Sequence, residues 1–443
     1  MKSLAPHPVS TTLGEWKSGI LEGVTLKADD RSLAGCLTDE VAIDELRSGV
    51  RISTRSWVGL VRFDAFQVQI VPKLAGENLG LVDLIDYATG LDALERYPSV
   101  RTLSGAGANL FDLIALLFAE ACERILRGGL LSDYCEVEDD LPVVRGRLLI
   151  RQQMLRRFGR IDRLECRYDE HLTNIPENQV LLAGLTICAG RVGHPAVAMR
   201  VRRLLSVVSE VCTLNDVDLR QVRTTLVYNR MNEYYREPHE LAWLILDALG
   251  IKDIYATGSP QCFAFLLDMN KLFENFVARW FRHIFSNTPF RVIPQRRDRT
   301  ILWDADLNRP YKAVIPDLLV EDRTQPGRFL PVDAKYKLYD ERKLSPSDIY
   351  QTFMYAYAYG EQHRVFPTAL ILYPATSAGA AQGRLHVRQS NGSITAEIRA
   401  VPIHLPTALK DARSGQIGAT GEAVIAAVRA AFEKPVAIAT TLQ

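Results

Sequence analysis

The sequence predicts a multidomain α+β protein: a β-rich N-terminal domain over residues 1–100, a mainly helical middle region over 101–255, and an α/β module over 256–443. Three observations carry this reading. At 443 residues the chain is too long for one ordinary hydrophobic core. Residues 11–75 are short alternating or apolar runs broken by turn residues, which is how strands read. From about residue 101 the apolar spacing becomes that of helices, and beyond residue 260 helix-length and strand-length segments alternate.

Composition sets outer limits. The chain is 47% hydrophobic and 24% charged, a soluble globular balance. No apolar stretch approaches the ~18 residues of a membrane span, so no membrane association is expected. Residues 1–10 lack the apolar centre of a signal peptide. The seven cysteines are scattered without a Cys-x-x-Cys pair, which argues for reduced thiols and a cytoplasmic protein. A net charge of +1 means that any nucleic-acid surface must be local. No Gly-x4-Gly-Lys-Ser/Thr occurs, so no nucleotide is expected to bind to this chain itself.

Along the chain, Ile20 to Leu26 and Val50 to Ser53 are strand candidates. Trp57 to Phe63 and Phe66 to Pro72 flank an Asp64-Ala65 turn, and the second run alternates apolar and polar residues. Thr38-Asp39-Glu40 reads as the start of a short helix, with a cap and an acidic first turn. None of this region carries chemistry, so it suits docking. Asn78 to Thr89 is a helix stopped by Gly90, and Leu110 to Leu126 is a core helix. Gly105-Ala106-Gly107 is read as a turn rather than a phosphate loop.

The most basic stretch follows, with Arg145, Arg147, Arg151, Arg156, Arg157, Arg160 and Arg163. Arginine suits phosphate because its planar fork gives paired hydrogen bonds. The same residues equally fit a partner surface, a solvated face, or intramolecular pairing with the acidic run Glu136 to Asp140. Helices are expected at Val180 to Val192, Ala196 to Val211 and Pro238 to Leu249, with Pro176 near a helix start and a domain boundary at 250–260.

In the third part a helix is expected from Phe263 to Phe285, with Glu274 at the edge of its apolar stripe. A strand follows (Phe290 to Arg296), then a hairpin of Val314 to Val320 and Phe329 to Lys335. Strand alternation puts Asp333 and Lys335 on one side, with Asp317 on the neighbouring strand. A carboxylate in a buried strand is costly unless it is paired or holds a cation. This grouping points to a hard-metal site for phosphodiester chemistry; the plainer alternative is a surface hairpin with an ordinary salt bridge. A helix, Pro346 to Tyr359, places Gln351 and Tyr355 on one face. Strands Thr368 to Tyr373, Arg384 to Gln389 and Ile394 to Ile403 and a helix Gly421 to Phe432 complete the chain.

Pro316, Asp317, Asp333 and Lys335, in this order of elements, resemble the PD-(D/E)xK nuclease superfamily. The resemblance implies an α/β nuclease core with a mixed sheet. It implies that Asp317, Asp333 and Glu274 hold Mg²⁺, with Mn²⁺ as a substitute, and that Lys335 positions the attacking water. It also implies that Gln351 and Tyr355 contact the phosphate backbone or brace Lys335. Aspartate at 333 replaces the glutamate that many members carry.

Over most of its length the chain resembles the McrC family, the nuclease component of McrBC-type modification-dependent restriction systems. The pieces that carry the resemblance are, in order, Trp57 to Leu60, Ile70-Val71-Pro72-Lys73-Leu74, Leu141-Pro142 with Arg145-Gly146-Arg147, Pro176-Glu177-Asn178, Asn270 to Glu274, and the Pro316 to Lys335 site. The resemblance implies a Mg²⁺-dependent endonuclease that cuts double-stranded DNA. Its N-terminal part would dock to a McrB-like AAA+ GTPase hexamer and stimulate it, while modified-base recognition lies in that partner. Arg145, Arg147, Arg151, Arg156 and Arg157 are the candidates for DNA or partner contact. The alternatives are a catalytically inactive AAA+ activator or adaptor, and a stand-alone DNA repair or recombination nuclease.

Overall fold

A computed structural model describes residues 9–74, 78–91, 96–105, 108–159, 162–215, 217–249, 262–339, 341, 343–360 and 367–433. The expectations at 106–107, at Arg160 and at the 250–260 boundary lie outside the described residues. The protein is a mixed α/β structure in two compact units. One unit gathers Met1–Leu60, Ala65–Asp92 and Leu266–Gln443, and the other gathers Val61–Asp64 and Ala93–Phe265. The sequence reading set residues 1–100 apart from 256–443, whereas here most of that N-terminal stretch shares a unit with the C-terminal part. The reason is physical: the helix Asn78–Thr89 packs on the helix Met269–Ile284, and Tyr87 and Phe276 meet with ring centroids 5.5 Å apart.

In the first unit a mixed six-stranded sheet runs in the order Phe290–Pro294, Leu318–Asp322, Phe329–Ala334, Thr368–Pro374, Ile394–Ile403, Gly383–Arg388. The first three strands are antiparallel, and the next two join in parallel. The parallel step is made by the helix Pro346–Tyr359, which crosses from Phe329–Ala334 to Thr368–Pro374. Ser345 caps that helix by accepting the Asp348 N–H, with Pro346 in the first turn where its missing donor costs nothing. Thr368–Pro374 is buried at every position, as a strand covered on both faces must be.

Several expectations need correction. Phe263–Asp268 is a strand, and the helix begins only at Met269. Asp268 ends the strand and caps the helix by accepting the Asn270 N–H at 2.9 Å. Pro316 and Asp317 lie in a bend before the strand Leu318–Asp322, not within a strand from Val314. A separate two-stranded ribbon, Asp298–Asp304 with Arg309–Val314, had not been expected. Near the N-terminus the helix is Ala28–Cys36, and Val41–Leu46 is a strand, so no helix starts at Thr38. An additional helix, Leu405–Arg413, precedes Gly418–Phe432.

The second unit has a core of helices, Leu110–Gly128, Pro176–Arg191, Pro195–Ser209 and Arg236–Leu249. It also holds a three-stranded sheet in the order Asp133–Leu141, Leu164–Leu172, Arg147–Leu148, where only helices and a basic stretch were expected.

Candidate active site

The pairing of Leu318 with Val332 sets the register of the central hairpin and brings the residues just before Leu318 opposite Asp333. Asp333 sits near the C-terminal end of its strand, where the parallel part of the sheet begins. In open α/β sheets the ends of parallel strands are the usual place for ligands. Asp317 reaches across the hairpin and accepts the Ala334 N–H at 2.8 Å. Lys335 follows the strand and donates its backbone N–H to Leu372 O at 2.8 Å, which fixes the root of its side chain.

Asp333 is 1% exposed, and its Oδ1 has no hydrogen-bond partner. Lys335 Nζ lies 2.9 Å from Asp333 Oδ2, and the two form a buried ion pair. Burial pushes the Asp333 carboxyl up against the pull of Lys335, and Asp317 pushes it further. Asp317 is raised for the same reason, first by burial and then by the charge of Glu274. Burial opposes the charge on Lys335, but the carboxylates around it outweigh this and hold its pKa above the usual lysine value. Glu274, half-buried on Met269–Ile284, is raised by burial and feels Lys335, Asp268 and Asp333. The four groups therefore form one electrostatic set.

Gln351 Nε2 donates to Tyr355 Oη at 2.9 Å, and the Tyr355 hydroxyl donates to Ile315 O at 3.3 Å. Burial raises the Tyr355 hydroxyl, which also feels Asp333, Asp317 and Lys335. The structure thus brings all six candidates into one neighbourhood. It adds residues the sequence reading did not single out. A cleft of about 580 Å³ is lined by Glu274 and Asp317 together with Arg279, Arg282 and Gln295. Glu274, Arg279 and Arg282 lie within about two turns of one helix, a spacing that was open to view in the sequence. Gly90 stands at φ +79°, where a Cβ would come within 3.3 Å of Arg279 Nη1, so glycine leaves that guanidinium its place beside the cleft.

Among the described residues no three histidine, cysteine or carboxylate side chains converge as a metal-binding group. Mg²⁺ does not require three: one or two carboxylates commonly suffice, with water and phosphate oxygens completing the shell. The open carboxylate of Asp333 beside Asp317 is oxygen chemistry of that kind, so the residues fit a hard cation.

The arginine stretch in the second unit is largely engaged internally. Arg145 pairs with Glu170 at 3.1 Å and lies 4.0 Å over the Tyr168 ring. Arg156 and Arg157 reach Glu165 at 3.4 and 3.0 Å, Arg157 also meets Asp140, and Arg163 lies 3.5 Å from Asp140. Arg147 and Arg151 are exposed.

The family model described as McrBC 5-methylcytosine restriction system component matches residues 52–374. No curated protein matches the chain by sequence. Among solved structures, one similar chain comes from a half-complex of the tetradecameric assembly of Thermococcus gammatolerans McrB AAA+ hexamers with bound McrC. It is 18% identical, with a TM-score of 0.56, and the match covers 95% of this chain and 100% of that one. At that identity the likeness is one of fold. A chain of the Thermococcus gammatolerans McrBC complex is 20% identical over 62% of this chain and 88% of that one, with a TM-score of 0.44, too low to add to the argument.

Proposed function

Because this chain belongs to the McrBC family of restriction-system components, we propose that it is the nuclease subunit of such a system. It would be a metal-dependent endodeoxyribonuclease that works docked to an AAA+ GTPase hexamer and cuts modified foreign DNA. The observation that supports this most is Asp333: a carboxylate buried to 1% exposure, with Oδ2 ion-paired to Lys335, Oδ1 left without a hydrogen-bond partner, and Asp317 alongside. Such a group lowers stability unless a ligand completes it.

Asp333 and Asp317 would hold Mg²⁺, with Glu274 at the edge of the site. When bound, the cation would supply an activated water and neutralise charge on the phosphate. Lys335, kept protonated by the carboxylates around it, would orient the attacking water and donate to a phosphate oxygen as negative charge builds. The Tyr355 hydroxyl, placed by Gln351 and Ile315 O, would steady the opposite side of the site. Arg279 and Arg282 would draw the DNA backbone along the cleft.

For the partner, the surface that fits best lies in the second unit rather than in residues 1–100. Leu155 and Phe158 are 76% and 78% exposed, and Val143, Ile150 and Met154 are exposed nearby in sequence, beside Arg147 and Arg151. Exposed apolar residues gathered in this way mark protein contact.

The test is cleavage of methylated plasmid with Mg²⁺, by wild type and Asp333→Asn, with and without the AAA+ partner and GTP. Cutting by wild type that needs partner and GTP and vanishes in the variant is expected. Stimulated GTP hydrolysis without cutting would establish an adaptor instead, and cutting without any partner would establish a stand-alone nuclease.

A further inference from the structure

The first unit holds a second cavity, of about 320 Å³, walled by the segment that follows Lys335. That volume is at the small end of the roughly 300–1,000 Å³ range of ligand sites. Its wall joins Tyr336 and Tyr339 to Glu15 and Trp16, which lie far away in sequence. Glu15 is 2% exposed. Its Oε2 accepts the Lys73 backbone N–H at 2.8 Å and the Tyr336 hydroxyl at 2.9 Å. Its Oε1 is buried and has no hydrogen-bond partner. A buried acceptor left open is an acceptor waiting for a donor.

The rest of the lining limits what that donor belongs to. Lys17, Lys73, Lys337 and Lys343 surround the cavity. Lys73 is paired with Glu341 at 3.0 Å and Lys337 with Asp348 at 2.6 Å. Lys17 and Lys343 have no acidic partner among the described residues, so positive charge is left at the rim. Trp16 is 57% exposed and stands at φ +58°, a backbone region that bulky side chains rarely adopt. A bare phosphate would be repelled by Glu15, and a simple amine by the lysines. A nucleotide has the required polarity: N–H donors on its base, an aromatic face, and an anionic end.

We propose that this cavity receives one nucleotide extruded from the DNA. Its base stacks on Trp16 and gives an amino or imino N–H to Glu15 Oε1, with its phosphate at Lys17 and Lys343. The assignment of DNA as the source rests on the nuclease reading, because Tyr336 in the cavity wall adjoins Lys335 of the cleavage site. Enzymes that handle single bases commonly combine aromatic stacking with a basic rim.

The test is calorimetric titration of the full-length protein with the four deoxynucleoside 5′-monophosphates, with deoxyribose 5-phosphate and inorganic phosphate as base-free controls, and with a short single-stranded oligonucleotide as competitor. At least one mononucleotide should bind about tenfold tighter than either control, as expected for one stacked base. Glu15→Gln should remove that margin. The glutamine carbonyl must face Lys73 N–H and Tyr336 Oη–H, which turns its NH₂ toward the incoming donor. Trp16→Ala, at an exposed position, should remove the margin as well, and Lys343→Ala should weaken nucleotide and controls together. The oligonucleotide should displace the mononucleotide. Equal binding of nucleotide and base-free controls, or no response to Trp16→Ala, would overturn the proposal. A bound mononucleotide that the oligonucleotide cannot displace would overturn DNA as the source. Asp333→Asn keeps the two readings separate: it should bind nucleotides as wild type does while losing cleavage.

Discussion

Asn178 in the second unit and Asp333 in the first are both buried polar side chains, but their surroundings are opposite. Asn178 is fully buried and saturated. Its Nδ2 donates to Leu131 O at 2.9 Å and Thr173 O at 2.6 Å, and its Oδ1 accepts the Tyr235 hydroxyl at 2.8 Å. Tyr235 Oη in turn accepts Leu131 N–H, and His239 bridges Tyr228 Oη and Glu177 O. Asp333 is ion-paired with Lys335 through Oδ2 at 2.9 Å, but its buried Oδ1 has no hydrogen-bond partner. Both belong to stretches that carry the family resemblance, yet only one is complete within the protein. A saturated cluster fixes a fold, whereas a buried group left open points to something the chain has yet to bind.

The sharpest way to break this contrast is to neutralise each group. Asp333→Asn should lower the cleavage rate by roughly a hundred to ten thousandfold. Its thermal midpoint should fall only modestly, because repulsion from Asp317 is relieved while Lys335 loses the charge it pairs with. A rate loss accompanied by unfolding would place Asp333 in the same class as Asn178.

Asn178→Ala should do the reverse. It strands Leu131 O and Thr173 O and leaves the Tyr235 hydroxyl without its acceptor, and should cost about 3 kcal/mol in urea denaturation of the second unit. Asp333-dependent chemistry per folded molecule should be retained.

Acid should sharpen the contrast further. His239 is fully buried, and burial lowers its pKa from 6.5 to about 4 despite its contact with Glu177 O. The unfolded chain therefore binds a proton between those values while the folded one does not, so stability falls as pH drops. The contribution is fully present above pH 6.5 and is lost progressively down to about pH 4, a difference on the order of 3 kcal/mol. Urea midpoints followed through that window should show the slope, and His239→Gln should flatten it.

The smallest effect should come from Arg157→Ala. This arginine pairs with Asp140 and Glu165, but Arg156 also reaches Glu165 and Arg163 lies near Asp140, so the change should lower the urea midpoint only slightly. It should also disturb partner binding less than Arg151→Ala. A larger loss of binding from Arg157→Ala would mean that its internal pairs open on docking.

Much of this arrangement was legible in the sequence where local signals were strong. The helix Pro346–Tyr359 carries its own cap and first-turn proline, and the strand Ile394–Ile403 its own pattern. Phe263–Asp268 was misread because a wholly apolar run continues the stripe of the helix behind it. The stop at Asp268 and the cap it makes were the overlooked signal. Asp133–Leu141 and Leu164–Leu172 escaped notice because they are strongly charged. Ion pairs across the strands, such as Arg167 with Glu138 and Glu136, help hold them, and apolar alternation hardly marks them. That Asp317, Asp333 and Lys335 would lie together could be read from the hairpin order and the strand alternation. What could not be read was that Asp333 Oδ1 would be buried without a hydrogen-bond partner, or that Glu15 would meet Tyr336 from 321 residues away. Both depend on packing between segments that are remote in the chain.

The most direct measurement of the central claim is Mn²⁺ binding to the full-length protein, with the loss of free aqueous ion followed by electron paramagnetic resonance, in wild type, Asp333→Asn and Asn178→Ala. A site present in wild type and in folded Asn178→Ala but absent from folded Asp333→Asn is the predicted result. Equal binding in all three would contradict the account, because the open carboxylate of Asp333 would then not be a cation seat.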